Sequence, residues 1–394
     1  MFEHVPVAPP DPILGLGESY LKDPRPHKIN LGVGVFKDEA GQTPVLESVK
    51  AAERLLVDRE TTKNYLGIDG LEAYNRHLRN LLFSEQVASK EIATVQVPGG
   101  TAGVRLAADF IADQLSGSRI WISNPTWVNH NSIFAAAGVD VQQYPYLSAD
   151  KTSLDFATMM DVFRNQTRKG DAVLLHACCH NPTGVDPTLG QWNELAVLMA
   201  ERELLPVIDF AYQGFGVGLE EDAAGLRAVQ QRCSEVLVAS SFSKNFGLYS
   251  ERVGALSAVT TSPAVTAATL SQFKRLIRSN WSNPPRHGAA IVATILDDAK
   301  LRQQWIGELD TMRHRIAAMR QAFVEQIKSR TNKRDFSFLL KQNGMFSFSG
   351  LSPLQVDQLK SQYGVYMVGS GRINVAGMTT KNLPALCDAI AAVL

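Results

Sequence analysis

The stretch Ser240-Ser241-Phe242-Ser243-Lys244-Asn245-Phe246-Gly247 sets a lysine among small hydroxyl residues, directly after the apolar run Val236-Leu237-Val238-Ala239. That run reads as a buried strand, which leaves Lys244 at its exposed end. Partial burial lowers an amine's pKa, and a neutral amine attacks an aldehyde to form a Schiff base. The serines offer hydrogen bonds to a phosphate, and Arg252 offers a neutralising charge. An aldehyde that carries a phosphate describes pyridoxal phosphate. Two other readings of the same residues stay open. A lysine after a strand is commonly a solvated surface residue, and Ser241-Phe242-Ser243-Lys244 fits the S-x-x-K of penicillin-recognising enzymes. Those enzymes also need S-D-N and K-T-G, which this chain lacks.

Four further motifs fall at the ends of apolar runs. His180-Asn181-Pro182-Thr183-Gly184 presents an amide in a tight turn that Pro182 fixes, either as an ordinary N-P turn or with a cis peptide. Asp209, in Asp209-Phe210-Ala211-Tyr212-Gln213-Gly214, closes the run Leu205-Pro206-Val207-Ile208. A carboxylate there is costly unless paired. A pyridinium nitrogen would pair it and keep an aromatic electron sink protonated, with Tyr212 in reach of a ring hydroxyl; a turn-capping Asp is the plainer alternative. Pro98-Gly99-Gly100-Thr101 opens a helix, where free N–H groups and a hydroxyl cradle phosphate or simply cap the helix. Gly369-Ser370-Gly371-Arg372 places an arginine at the start of a strand, to fork a carboxylate or to make a surface ion pair.

The elements that position these residues alternate. Strands are expected at 119–123, 139–143, 172–176, 206–210, 236–240 and 253–259, with helices at 101–115, around 133–137, and at 155–163, 189–202 and 221–232. This order predicts a mostly parallel sheet covered on both faces, with ligands bound beyond the strand C-termini. A helical pattern from 289 to 327 predicts one long helix linking two domains. A last alternation of apolar segments (336–340, 345–348, 365–368, 372–375) and a terminal helix from Lys381 predict a small α/β domain, which the N-terminal segment joins.

Composition narrows the function further. Lys+Arg and Asp+Glu both number 39, so bulk charge recruits neither nucleic acid nor membrane. The cysteines Cys178, Cys179, Cys233 and Cys387 form no C-x-x-C pair, which points to free thiols in a reducing compartment. His176 and His180 flank the Cys pair but lack the spaced ligand pairs of a zinc site, so no metal is expected. MFEHVPVAPPDP has no basic n-region and no stretch approaches the ~20 apolar residues of a membrane helix. The expectation is a cytoplasmic protein.

Taken in order along one chain, these motifs resemble the class I, fold-type I aminotransferases that depend on pyridoxal phosphate, and within them the aspartate-type members. The likeness runs from Asp11-Pro12-Ile13-Leu14 to the final helix. It includes Ile29-Asn30-Leu31-Gly32-Val33-Gly34, Lys63-Asn64-Tyr65-Leu66-Gly67, Ser123-Asn124-Pro125-Thr126-Trp127 and Ser282-Asn283-Pro284-Pro285. The resemblance implies a large domain (46–311) with a mostly parallel seven-stranded sheet, a small C-terminal domain (312–394) and an N-terminal segment (1–45) joined to it. It implies that Lys244 carries the cofactor and moves the proton, Asp209 pairs with the ring nitrogen with His130 behind it, and Tyr212 and Asn181 bond the ring oxygen. Trp127 stacks on the ring. Gly100, Thr101, Ser241 and Arg252 hold the phosphate with Tyr65 of a second subunit. Arg372 binds the substrate α-carboxylate, Arg278 of the second subunit the distal one, and Gly34 lends backbone. A homodimer with shared sites follows.

The resemblance further implies ping-pong transfer of an amino group between L-aspartate and 2-oxoglutarate, with dicarboxylic amino acids and oxo acids as partners. Val35, Lys37, Thr43, Asn64, Thr101 and Asn283 fit aspartate-type pockets, while the alternative is an aromatic-amino-acid enzyme of the same subgroup, which also carries the equivalent of Arg278. Phe36 and Gly99 depart from the family pattern, where tyrosine and, in animal members, serine are usual. A lyase or decarboxylase on this fold, or a non-catalytic binding protein, are the remaining readings; the second predicts loss of Lys244, Asp209 or Arg372, and all three are present.

Overall fold

Continuous apolar runs make the strands here, and the runs are continuous because helices cover both faces of the sheet. The computed structural model describes residues 1–9, 11, 13–83 and 91–394, so Pro12 of the Asp11–Leu14 motif lies outside the described residues. Its strands are β1 (Ile29–Asn30), β2 (Ile92–Pro98), β3 (Arg119–Asn124), β4 (Asp140–Pro145), β5 (Ala172–His176), β6 (Leu205–Phe210), β7 (Val236–Ser241), β8 (Val253–Val259), β9 (Phe346–Phe348), β10 (Val365–Tyr366) and β11 (Arg372–Asn374). A seven-stranded sheet runs in the order β2-β8-β7-β6-β5-β3-β4. All pairings are parallel except those of β8, which is antiparallel to β2 and β7. Side chains alternate between two apolar clusters. Val173, Leu175, Ile208 and Val238 enter one, and Leu174, Val207 and Leu237 the other, as the two-residue period of a strand requires.

Register sets the site. His176 lies opposite Asp209, Asp209 opposite Ala239, and Phe210 opposite Ser240, so the C-terminal ends of β5, β6 and β7 are level. Strand order reverses between β3 and β5, and a crevice opens at such a switch point.

The N-terminal chain packs on the C-terminal part. β1 pairs in parallel with β10, and Asn374 Nδ2 donates to the carbonyls of Val33 (2.7 Å) and Val35 (3.0 Å). Arg25 donates to the Lys360 and Ser361 carbonyls at the end of the Pro353–Tyr363 helix. β9 and β11 form a short antiparallel pair that presents Arg372.

The expected elements omit β2 and the helices Glu47–Arg59, Glu72–Phe83 and Pro263–Asn280, and three further segments differ from the sequence expectation. The 289–327 stretch is two helices, His287–Asp297 and Ala299–Lys328. Asp298 separates them, its carboxylate accepting from the N–H groups of Lys300 (2.8 Å) and Leu301 (3.0 Å) as an N-cap. Residues 337–341 form a 3-10 turn, not an extended segment. The Pro353–Tyr363 helix was not anticipated, although Ser352 and Gln355 form a capping box with Pro353 at the first helical position.

Candidate active site

A cavity of about 230 Å³ lies at the strand ends, walled by residues from widely separated parts of the chain, from Ile13 to Arg372. It brings together eleven of the residues singled out from sequence: Gly34, Gly100, Thr101, Trp127, Asn181, Asp209, Tyr212, Ser241, Lys244, Arg252 and Arg372. Tyr65 is 93 % exposed and Arg278 is exposed at the end of the Pro263–Asn280 helix, where it bonds Ser282 Oγ; neither reaches the cavity of its own chain. His130 stands just behind the wall. Val33, Ser243, Tyr249 and Phe346 also line the cavity. Tyr249 carried no sequence signal, yet its hydroxyl accepts the Phe36 N–H (2.9 Å) and ties the 33–36 loop to the site.

Lys244 leaves β7 with its ammonium 4.8 Å from the centre of the Tyr212 ring. Burial pushes its pKa down; Asp209 opposes that shift and Arg252 adds to it. The Tyr212 hydroxyl has no partner among the described residues, and burial keeps it protonated.

Asp209 is the next to last residue of β6. Burial pushes its carboxyl up, but the His130 hydrogen bond and nearby positive charge outweigh this and hold it below its usual value. His130 Nε2 lies 3.1 Å from Asp209 Oδ2, Thr126 Oγ1 2.8 Å from His130 Nδ1, and His176 Nε2 3.2 Å from Thr126 Oγ1. An ionised carboxylate only accepts, so His130 Nε2 must donate. In the neutral imidazole Nδ1 accepts from Thr126, whose oxygen accepts from His176. The chain of three bonds fixes the His130 tautomer. His176 stays neutral, pushed down to about 3 by burial and by His130.

The phosphate-binding candidates form a cradle in which no carboxylate among the described residues pairs with Arg252. Gly100 opens the Gly100–Gln114 helix, beside Ser241, Ser243 and Arg252. Arg252 donates to the Tyr249 carbonyl (3.0 Å) and to Ser243 Oγ (3.5 Å), both neutral. Gly99 has φ +86°, and a Cβ there would sit 2.4 Å from Arg252 Nη2. A helix N-terminus, a guanidinium without a counter-charge and two hydroxyls together suit a phosphate.

Asn181 hangs from the turn after β5, where the Asn181–Pro182 peptide is cis, as is Asn124–Pro125 after β3. Arg372 lies across the cavity and is 4 % exposed. It donates to Asn181 Oδ1 (3.2 Å) and the Gly32 carbonyl, its Nε has no partner, and its guanidinium lies 4.2 Å from the Phe346 ring centre. Burial pushes its pKa down to about 10. It pairs with no carboxylate among the described residues.

Of the histidines and cysteines that are neighbours in sequence here, His176 and His180 have hydrogen-bond partners of their own. His180 gives its ring nitrogens to Ser123 (2.9 Å) and Thr183 (2.8 Å). Ligand atoms of Cys178, Cys179 and Asp222 do fall within 4.8 Å of one another. However, Asp222 accepts backbone N–H groups of Gly214, Gly216 and Val217, and burial pushes both thiols up.

An amine, a paired carboxylate, an anion cradle and a buried guanidinium around one cavity define an enzyme for amino-acid chemistry on a phosphorylated aromatic aldehyde. The chain belongs to the family described as Aminotransferase class I and II, which matches residues 26–390. It is 54 % identical to an aspartate aminotransferase of Escherichia coli (strain K12) across the whole of both chains. It is 48 % identical to an aromatic-amino-acid aminotransferase of Pseudomonas aeruginosa, over all of this chain and 98 % of that one. The crystal structure of an aromatic-amino-acid aminotransferase from Burkholderia pseudomallei, covalently bound to pyridoxal phosphate, superposes with a TM-score of 0.97 at 46 % identity, covering 100 % of this chain and 99 % of that one.

Proposed function

We propose that this chain is a pyridoxal-phosphate-dependent transaminase that moves the amino group between L-aspartate and 2-oxoglutarate. The observation that carries the reading is the meeting of Lys244, Asp209 and an unpaired, buried Arg372 in one cavity. Identity of 54 % to an aspartate aminotransferase supports the substrate.

Lys244 would hold the cofactor, with Gly100, Thr101, Ser241 and Arg252 around its phosphate, Trp127 against its ring, and Asn181 and Tyr212 at its ring oxygen. Asp209 would face its ring nitrogen, held in the ionised form by His130. When bound, the group supplies an electron sink for charge that develops at the substrate α-carbon. Arg372 forks the α-carboxylate, and Gly34 contributes backbone beside it. Lys244 Nζ, whose charge burial disfavours, would take the α-proton and deliver it on the cofactor side instead of returning it to the α-carbon, as transfer of the amino group requires. One cavity serves both half-reactions, so the first oxo acid must leave before the second enters while the amino group stays on the enzyme, and the kinetics are ping-pong.

The distal carboxylate of a dicarboxylic substrate needs a second cation. Arg278 and Tyr65 are both exposed in their own chain, which supports a homodimer in which each completes the other copy's site. Mixing Lys244→Ala with Arg278→Ala subunits tests this, since a mixed dimer regains one intact site; no regain of activity would refute sharing. The division into 1–45 with 312–394, and 46–311, is part of the same proposal and is supported by the β1–β10 pairing. Four buried, free cysteines support a cytoplasmic setting, and among the described residues no helix is long and apolar enough to cross a membrane.

Two measurements test the reading. The visible spectrum of purified protein must contain a cofactor band that shifts on adding aspartate. Steady-state kinetics must give a higher kcat/KM for aspartate than for phenylalanine; the reverse order assigns the chain to aromatic substrates.

A further inference from the structure

The segment 30–43 carries Val33 and Gly34 into the wall of the active-site cavity. Among the described residues, all but one of the hydrogen bonds it makes outside itself go to residues 315–380. Leu31 N–H donates to the Tyr366 carbonyl (2.7 Å) and Lys37 N–H to the Ala376 carbonyl (3.0 Å), and Asn374 Nδ2 donates to the Val33 and Val35 carbonyls. Arg372 donates to the Gly32 carbonyl, and Glu39 accepts from Thr380 N–H (2.8 Å) and Arg315 (3.1 Å). The exception is the Tyr249 hydroxyl, which accepts Phe36 N–H at 2.9 Å. Tyr249 follows Lys244 by five residues, and its carbonyl accepts from Arg252 at 3.0 Å. This one bond therefore joins the segment 30–43 to the part of the chain that would hold the cofactor. The place of the segment matters to Arg372. A Cβ on Gly34 would lie 2.6 Å from Phe346 Cζ, so the backbone rests on that ring, and the Arg372 guanidinium lies 4.2 Å from the ring centre. A shift of the segment moves both the Gly32 carbonyl and the ring against which the guanidinium is seated.

We propose that Tyr249 is a positioning residue for substrate: its hydroxyl docks the 33–36 backbone against the Lys244 segment and so keeps Arg372 in the pose that receives a carboxylate. The inference rests on the transaminase reading above. Tyr249 takes no part in the bond changes. Burial pushes its pKa up to about 12, so the hydroxyl stays protonated and accepts the Phe36 N–H without setting a negative charge beside an anionic substrate. Without the bond, the docked pose is only one of several, and apparent affinity falls with the fraction that stays docked. The loss of one neutral hydrogen bond sets the scale, at about three- to tenfold.

The test is Tyr249→Phe on the holoenzyme, which keeps the ring and removes the hydroxyl. KM for aspartate and for 2-oxoglutarate are each expected to rise about three- to tenfold, with kcat within about twofold of the wild type. Succinate, a dicarboxylate with no amine or oxo group to react, is the binding probe, and its Kd rises by the same factor. Hydrogen exchange is read on the same samples: amides of 30–43 exchange faster in the variant, and those of β7 do not. Equal Kd and KM in the two proteins, unchanged exchange of 30–43, or a fall in kcat with KM unchanged overturns the proposal. Loss of the cofactor band in the variant does so too, because it assigns Tyr249 to cofactor binding. Failure of the wild type to bind succinate instead overturns the dicarboxylate reading, and the proposal with it.

Discussion

Replacing Arg372 by methionine separates substrate binding from cofactor binding and from folding. The guanidinium is buried, its pKa is pushed down to about 10, and its only hydrogen-bond partners among the described residues are the Asn181 side-chain oxygen and the Gly32 carbonyl. It thus carries a desolvated charge that awaits a counter-charge, and the α-carboxylate supplies one. Removing one member of such a buried charge pair costs about 3–5 kcal/mol. At 1.36 kcal/mol per decade, kcat/KM for aspartate falls by about 10²- to 10⁴-fold. Folding responds differently. Two hydrogen bonds to neutral acceptors are lost, at about 1 kcal/mol each, while the penalty for burying the charge disappears. Methionine keeps apolar contact with Phe346, so Tm stays within about 2 °C of the wild type. The assay is steady-state kinetics, with the cofactor absorption band and a thermal melt recorded on the same sample. A drop in kcat/KM of less than tenfold, with band and melt unchanged, would show that the α-carboxylate does not rest on Arg372.

Three other outcomes follow from the same geometry. Asp209→Asn removes the charge that would face the ring nitrogen, and kcat is expected to fall by about 10²- to 10³-fold with little change in KM; an unchanged kcat refutes the role. His176 has a folded pKa of about 3 against about 6.5 unfolded, so the unfolded chain binds the extra proton between those values and stability falls as pH drops through that window. His176→Gln keeps an N–H for Thr126 without titrating, so its urea midpoint falls less between pH 7 and pH 4.5 than that of the wild type; parallel losses refute the shift. Gly344 has φ +77°, and an added Cβ would meet Cys179 Cβ at 2.4 Å, so Gly344→Ala lowers stability by about 2–3 kcal/mol, read from urea unfolding; an unchanged midpoint refutes the close packing.

Much of the sheet was legible because apolar runs and strand ends are local signals. The expected 172–176 and 253–259 strands coincide with β5 and β8, and Lys244, Asp209, Asn181 and Arg372 were named from their places at such ends. The antiparallel sense of β8 was not legible, since a buried run reads the same in either direction. The break at Asp298 was hidden because the residues on both sides of it are good helix formers, and only the cap geometry shows where one helix stops. The Pro353–Tyr363 helix was signalled by Ser352, Pro353 and Gln355 but was short enough to be overlooked among strands.

The amino-acid sequence by itself determined which groups this protein has for chemistry, because a lysine, an acid, an arginine and a glycine-rich helix start are chemical facts of residue type and local turn. The tertiary structure decided which of them meet. Segments more than 330 residues apart in the chain, at Gly32 and Arg372, close one cavity, while Tyr65 and Arg278 stay outside it. Sequence spacing carries no information on such meetings. Strand register, the switch in strand order and the packing of the N-terminal segment on β10 and β11 fix them. The relay from His176 through Thr126 and His130 to Asp209 exists only once three-dimensional packing has selected the partners of each buried polar atom.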